Sequence, residues 1–313
     1  MLKTNGIHHI SAMVNDAQRT IDFYTGVLGL RLIKKTVNFD RPEVYHLYFG
    51  NVTGDPGTVI TFFPWAKQLK GRIGTGQVGV TAYMIPKGSI SFWESRLQKY
   101  QVSYQSSSRF GETYLELNDP DGLQIELVER AEGERNSWKL SDIPAEYAIK
   151  GFAGATLLSK FPHKTAEVLE NVLGFTCLGQ EGEFLRFRAD GKIGNIIDIK
   201  LSASVRGLMG AGTVHHIAWR AKDEEQHQKW RELLEQEGYF PTEILDRNYF
   251  KALYFHEGGG ILFEIATDLP GFTVDEPLSK LGNKLMLPTW LEDKRDEMVE
   301  LLPHIEFNSL KGE

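Results

Sequence analysis

Among the 313 residues there is one cysteine, Cys177, so no intrachain disulfide can form and a cytoplasmic setting is the expectation. Basic residues are also short: 35 Lys and Arg stand against 42 Asp and Glu, a formal charge of -7. Such a chain lacks the clustered cationic face that nucleic acid or an anionic membrane surface needs. No apolar run is long enough to span a bilayer. The opening Met1-Leu2-Lys3-Thr4-Asn5-Gly6 has no charged stretch leading into an apolar one, as a secretory leader would. Nor is there a Pro, Gln or Ser bias; 41% hydrophobic and 25% charged residues describe a folded chain long enough for two domains. A small-molecule partner is the reading that survives, with homo-oligomerisation left open.

What is present is repetition. Four segments share one order: a short strand, an amphipathic helix and three more strands. The first covers residues 6–64, opens with Gly6-Ile7-His8-His9-Ile10, and carries a helix over 17–28 with Ile21, Tyr24, Val27 and Leu28 at helical spacing. Gly29 is placed to stop that helix, and strands near 45–49 and 58–63 follow. The second segment, 77–129, has a helix over 89–100 and a last hairpin turned by Asn118-Asp119-Pro120-Asp121-Gly122. The third opens at Gly151, ends its helix at Leu173-Gly174-Phe175 in an echo of Leu28-Gly29-Leu30, and closes around 195–201. The fourth opens with Gly212-Thr213-Val214-His215-His216-Ile217, carries a helix over 224–236, and ends in Gly260-Ile261-Leu262-Phe263-Glu264.

One such unit cannot bury its apolar face alone, so units must pair and leave a cleft between them. The expected fold class is α+β: four βαβββ modules in two curved-sheet pairs, followed by a C-terminal helical tail. The polar stretch 131–148 divides a first domain, 6–131 (modules 1 and 2), from a second, 150–267 (modules 3 and 4). The tail, 268–313, carries a helix over 290–302.

Repeats allow equivalent positions to be compared within one chain. Aligned opening strands put His9, Val80, Ala153 and His216 in one place. Aligned closing strands put Thr61, Glu126, Asp198 and Glu264 in another. Two imidazoles and a carboxylate facing one cleft make a facial triad that leaves about half of an octahedron open, the arrangement suited to non-haem Fe(II) and dioxygen. Strand alternation sends His8 and His9 to opposite faces, and likewise His215 and His216. The second of each pair is taken as the ligand. Modules 1 and 4 must then share a cleft, and modules 2 and 3 form a metal-free pair.

The His-His openings, the Leu-Gly-Leu helix end and the Asp-Pro-Asp-Gly turn resemble the vicinal-oxygen-chelate superfamily of glyoxalases, bleomycin-resistance proteins and extradiol dioxygenases. More narrowly, Tyr45-His46-Leu47-Tyr48-Phe49, Pro56-Gly57-Thr58, Ile85-Pro86-Lys87-Gly88-Ser89, Arg109-Phe110-Gly111 and Phe272-Thr273-Val274-Asp275-Glu276 are similar to hydroquinone ring-cleaving dioxygenases, of the 2,6-dichlorohydroquinone dioxygenase kind. The resemblance implies an enzyme that opens an aromatic ring with O2 on one Fe(II), with Mn2+, Zn2+ or Ni2+ as alternatives. It maps the ligands onto His9, His216 and Glu264. Tyr254, ten residues before Glu264, becomes the acid, its pKa expected to be lowered by a neighbouring cation. Arg247 would hold a phenolate, and His8 and His215 would stand beside the ligands. The stretch Leu245-Asp246-Arg247-Asn248-Tyr249 lacks the histidine that catechol-cleaving members place there, which leans toward a para-diol.

Two rivals are defined by residues. A glyoxalase-like isomerase or lyase uses a second carboxylate where Thr61 stands, and a non-enzymatic aromatic or drug binder has no need of the two histidines. Elsewhere, His46 reads as packing, with a place lining the cleft as the alternative, and His256, on the face of Tyr254, is a pocket candidate set against a plain structural role. Trp65, Trp93 and Trp219 read as core, and Glu126 as structural. His163, His227 and His304 sit in polar surroundings with no visible role.

Overall fold

The computed structural model describes residues 2–66, 69–138, 142–202 and 205–306. Part of the expected linker, 139–141, and the end of the expected tail, 307–313, lie outside the described residues. Each module follows the expected order. Module 1 has β1 (Ile7–Val14), α1 (Ala17–Ile21) running on as a π-helical turn (Asp22–Val27), β2 (Arg31–Asn38), β3 (Arg41–Gly50) and β4 (Val59–Pro64). Module 2 has β5 (Gln77–Ile85), α2 (Ile90–Lys99), β6 (Tyr104–Arg109), β7 (Glu112–Asn118) and β8 (Gln124–Glu129). Module 3 has β9 (Gly151–Leu158), α3 (Pro162–Glu167) with its own π turn (Val168–Val172), β10 (Thr176–Glu181), β11 (Phe184–Arg188) and β12 (Ile196–Lys200). Module 4 has β13 (Thr213–Ala221), α4 (Glu224–Gln236), β14 (Leu245–Asp246), β15 (Phe250–His256) and β16 (Leu262–Pro270).

Local chemistry explains the boundaries. Asp16 caps α1 by accepting from the Arg19 N–H at 2.9 Å, and Asp223 caps α4 in the same way through Gln226 at 2.8 Å. Glu224 and Glu225 then complement the positive end of the α4 dipole. Gly29 and Gly174 follow the π turns at φ +68° and +77°, a conformation that a side chain would resist. The tail helix divides into a 3-10 turn (Thr289–Lys294) and α5 (Arg295–Leu301), and β16 runs to Pro270, beyond the expected end of module 4.

The two eight-stranded sheets cross the halves of the sequence. One has the order β14-β15-β16-β13-β1-β4-β3-β2 and joins modules 4 and 1; the other, β10-β11-β12-β9-β5-β8-β7-β6, joins modules 3 and 2. The large core lies on the helix-covered faces, where Ile10, Tyr24, Phe62, Trp93, Trp219 and Trp230 are buried. The opposite face of the module 1–4 sheet carries a smaller cluster of Ile33, Tyr48, Val59, Ala218, Tyr249, Phe250, Ala266 and Phe272. Among the described residues no helix is long and apolar enough to cross a membrane.

Candidate metal centre

The module 1–4 sheet is built around an antiparallel seam between β1 and β13, and each strand carries one extra residue. Ile7 faces Trp219 and His9 faces Ala218, so His8 is the extra residue on β1; Ser11 faces His216 and Ala12 faces Val214, so His215 is the extra residue on β13. These bulges overturn the expectation from simple alternation that neighbouring histidines point to opposite faces. A bulge re-aims side chains. Here it brings His8 Nδ1 to 2.9 Å from His9 Nδ1, and His215 Nδ1 to 2.8 Å from His216 Nδ1.

Two rows of residues then cross the sheet. One runs Tyr254, Glu264, Ala218, His9 over β15, β16, β13 and β1. The other runs Tyr48, Thr61, Ser11, His216 over β3, β4, β1 and β13. They are related by the pseudo-twofold that exchanges the modules. The same register corrects one alignment: Asp198 lies beside Thr156, as Glu264 lies beside Ala218, so the module 3 counterpart of His216 is Gly154 and not Ala153.

His9, His216 and Glu264 converge, each offering a ligand atom within 4.8 Å of the others, and all three are buried. Glu264 Oε2 lies 2.9 Å from His216 Nε2 and 3.4 Å from His9 Nε2. Neither contact has the alignment of a hydrogen bond, and both carboxylate oxygens are buried without a hydrogen-bonding partner among the described residues. Burial alone would push the Glu264 carboxyl up, yet the neighbouring imidazoles hold it far below the ordinary range. Burial lowers the His216 pKa, and Glu264 opposes that shift. A fully buried carboxylate with idle lone pairs, facing two imidazole nitrogens, is a donor set that fits a divalent ion.

The hydrogen bonds settle the tautomers such a role needs. If His9 keeps Nε2 for the centre, its Nδ1–H donates to His8 Nδ1, and His8 donates from Nε2 to the Thr267 carbonyl at 3.1 Å. His8 is thereby occupied at both nitrogens. Burial, with His9 alongside, lowers its pKa well below the usual value. His216 donates to His215 in the same way. Half-buried His215 has no partner at Nε2 among the described residues, which leaves an N–H for the cleft; desolvation takes its pKa down to about 3.

Tyr254 stands directly across from Glu264, its ring 5.6 Å from that of His216, with the Arg247 guanidinium 5.6 Å from its centroid. Burial first, and then Glu264, raise its pKa, the reverse of the lowering expected from the sequence, while the Arg247 guanidinium pulls it the other way. Arg247 is half-buried and pairs with Asp40 at 3.2 Å.

His46 was read as packing, yet it belongs to the site's surroundings. Its Nε2 lies 2.9 Å from Thr61 Oγ1, its Nδ1 lies 2.9 Å from the Tyr48 hydroxyl, and its electrostatic neighbours include His9, His216, Arg247 and Glu264. The Tyr45-His46-Leu47-Tyr48 alternation carried that signal. His256 is exposed, whereas Trp93 and Trp219 are fully buried core. Trp65 is half-buried beneath Arg41. His227 is also fully buried, not surrounded by solvent, and bonds the Ile265 carbonyl at 2.9 Å.

In the module 2–3 sheet guanidinium groups fill the corresponding place. Arg109 grips Glu126 with two bonds of 2.8 and 2.6 Å and reaches Asp198 at 2.8 Å. Arg186, directly across from Asp198, binds it at 2.7 and 2.8 Å. A charged residue at an inward-facing strand position was the available sign of this network.

Comparison with known proteins agrees with this geometry. The model for the Glyoxalase/Bleomycin resistance protein/Dioxygenase superfamily matches residues 6–127 and 154–273. The chain is 57% identical to the "Putative ring-cleaving dioxygenase MhqO" of Bacillus subtilis, over 96% of this chain and 97% of that protein. It is 33% identical to the chlorohydroquinone/hydroquinone 1,2-dioxygenase of Sphingobium indicum, over 96% of each. A crystal structure of a "putative dioxygenase" from Bacillus subtilis superposes with a TM-score of 0.97 at 56% identity, covering 99% of this chain and 100% of that one.

Proposed function

The chain belongs to the glyoxalase/bleomycin resistance protein/dioxygenase superfamily, and from that premise we propose that it is a cytoplasmic ring-cleaving dioxygenase that uses one Fe(II) to open hydroquinone-type aromatics with O2. The observation that carries this reading is Glu264, buried with both oxygens idle between two imidazoles. His9, His216 and Glu264 would hold the metal. Iron so held supplies a redox-active centre at which an ionised ring hydroxyl and dioxygen meet.

The remaining work falls to this chain's own groups. His8, anchored on the Thr267 carbonyl, fixes the ring of His9 and keeps its Nε2 free of hydrogen. Arg247, always charged, steadies an anionic ring oxygen. Tyr254 retains its proton in this environment and can deliver it to an oxygen as the ring opens. The spare N–H of His215, beside His216, gives a further donor. Thr61 stands where a glyoxalase-type site needs a carboxylate, which supports three protein ligands over four.

The test is anaerobic loading with Fe(II), then oxygen uptake against a panel of hydroquinones and catechols. Uptake of one O2 per hydroquinone consumed is expected, with catechols slower. Iron-loaded protein that consumes no oxygen with any diphenol would contradict the proposal.

A further inference from the structure

The second row of the site carries hydroxyls where the first carries the ligand carboxylate. Under the pseudo-twofold Thr61 replaces Glu264, Ser11 replaces Ala218 and Tyr48 replaces Tyr254. Ser11 sits between Thr61 and His216 on the ligand face, two residues along β1 from His9, with no bulge between. Neither Ser11 nor Thr61 is exposed at all.

These groups form one chain of hydrogen bonds: Tyr48 to His46 at 2.9 Å, His46 to Thr61 at 2.9 Å, and Thr61 to Ser11 at 2.7 Å. With His46 neutral, the four groups carry four donor hydrogens for those three contacts. One donor is left over, and it lies at an end when each group accepts from one neighbour and donates to the next, the one-directional relay in which hydrogen bonds reinforce one another. At the Tyr48 end the ring is boxed by Tyr249 and Phe272, and among the described residues the hydroxyl has His46 as its one hydrogen-bonding partner, so the phenol donates inward. His46 then carries its hydrogen on Nε2, Thr61 donates to Ser11, and the Ser11 hydroxyl is the donor without a partner.

We propose that Ser11, oriented through Thr61, His46 and Tyr48, donates a hydrogen bond to an oxygen of the aromatic ligand on the open side of the centre, and so helps to select and position a hydroxylated ring. This rests on the metal-centre reading above. It makes Ser11 a substrate-binding residue, and Thr61, His46 and Tyr48 positioning residues that act through it.

Two measurements test it. Nitrogen-15 NMR of the metal-free protein reports the His46 tautomer directly, and the Nε2–H form is expected; the Nδ1–H form would overturn the proposal without touching the metal reading. Ser11→Ala is tolerated sterically, because alanine already fills the matching place at 218. The variant should take up Fe(II) as the parent does and bind hydroquinone about tenfold more weakly under argon, the scale of one buried hydrogen bond to a charged partner. Hydroquinone binding unchanged at equal iron content, or loss of the iron itself, would overturn the role given to Ser11. A parent protein that takes up no Fe(II) would sink the metal-centre reading and this one with it.

Discussion

At the scale of single residues, the neighbourhood of Glu264 decides what the protein can do. An ionised carboxylate with no exposure and no hydrogen bond is costly unless a cation meets it. The positions that converge there were legible because repeats expose them: histidine recurs in the opening strands of modules 1 and 4 alone. His46 and Ser11 escaped, since a hydroxyl and an imidazole within alternating strands look like ordinary packing until register shows what they face. Tyr254 sits where a proton donor is needed and is not a ligand of the proposed centre. Tyr254→Phe should therefore retain iron at the parental level, by metal analysis, while turnover falls about 10²- to 10⁴-fold, the usual span for a lost general acid. Unchanged turnover would remove it from the reaction.

At the scale of elements, four βαβββ units were readable from helical spacing, Gly stops and a strong turn, and α4 has the bounds its sequence pattern sets. The bulges at His8 and His215 were not, because an extra residue leaves no mark on composition or period; only pairing reveals it. Nor could spacing show that arginines fill the module 2–3 sheet where modules 1 and 4 offer ligands. Glu126→Ala strips Arg109 of its bidentate partner, and breaking a buried pair from one side costs about 3–5 kcal/mol. Denaturant unfolding should register that loss while iron binding stays intact; loss of iron would link the two sheets in a way their geometry does not suggest.

The same network sets an acid limit. Burial would raise the Glu112 pKa, but Arg130 and Arg186 hold it down at about 2. A carboxyl depressed on folding stabilises the fold above its unfolded value, roughly pH 4.3, and that stability is lost as pH falls toward 2. Glu112→Gln should flatten this part of the stability-against-pH curve, followed by circular dichroism. A curve as steep as the parent's would show that other groups carry the acid sensitivity.

At the scale of the whole molecule, the order of modules matters more than their number. Pairing the first with the last puts His9 and His216 on neighbouring strands and lets the tail fold back over the same sheet. Its clasp is Lys34, which is fully buried and held by Asp275 at 2.5 Å and Glu276 at 2.6 Å, while Phe272 packs on Tyr48 and Tyr249. Lys34→Ala leaves those carboxylates without their cation, so limited proteolysis should cut the tail beyond residue 271 far faster than in the parent. Equal cleavage would mean that the aromatic contacts alone keep it docked.

The most direct test of the account is equilibrium Fe(II) binding, under argon, by the parent protein and by His9→Ala, His216→Ala and Glu264→Ala, with folding checked by circular dichroism. One iron per parent chain and loss of tight binding in each folded variant is the result expected. Parental iron content in all three variants would contradict it.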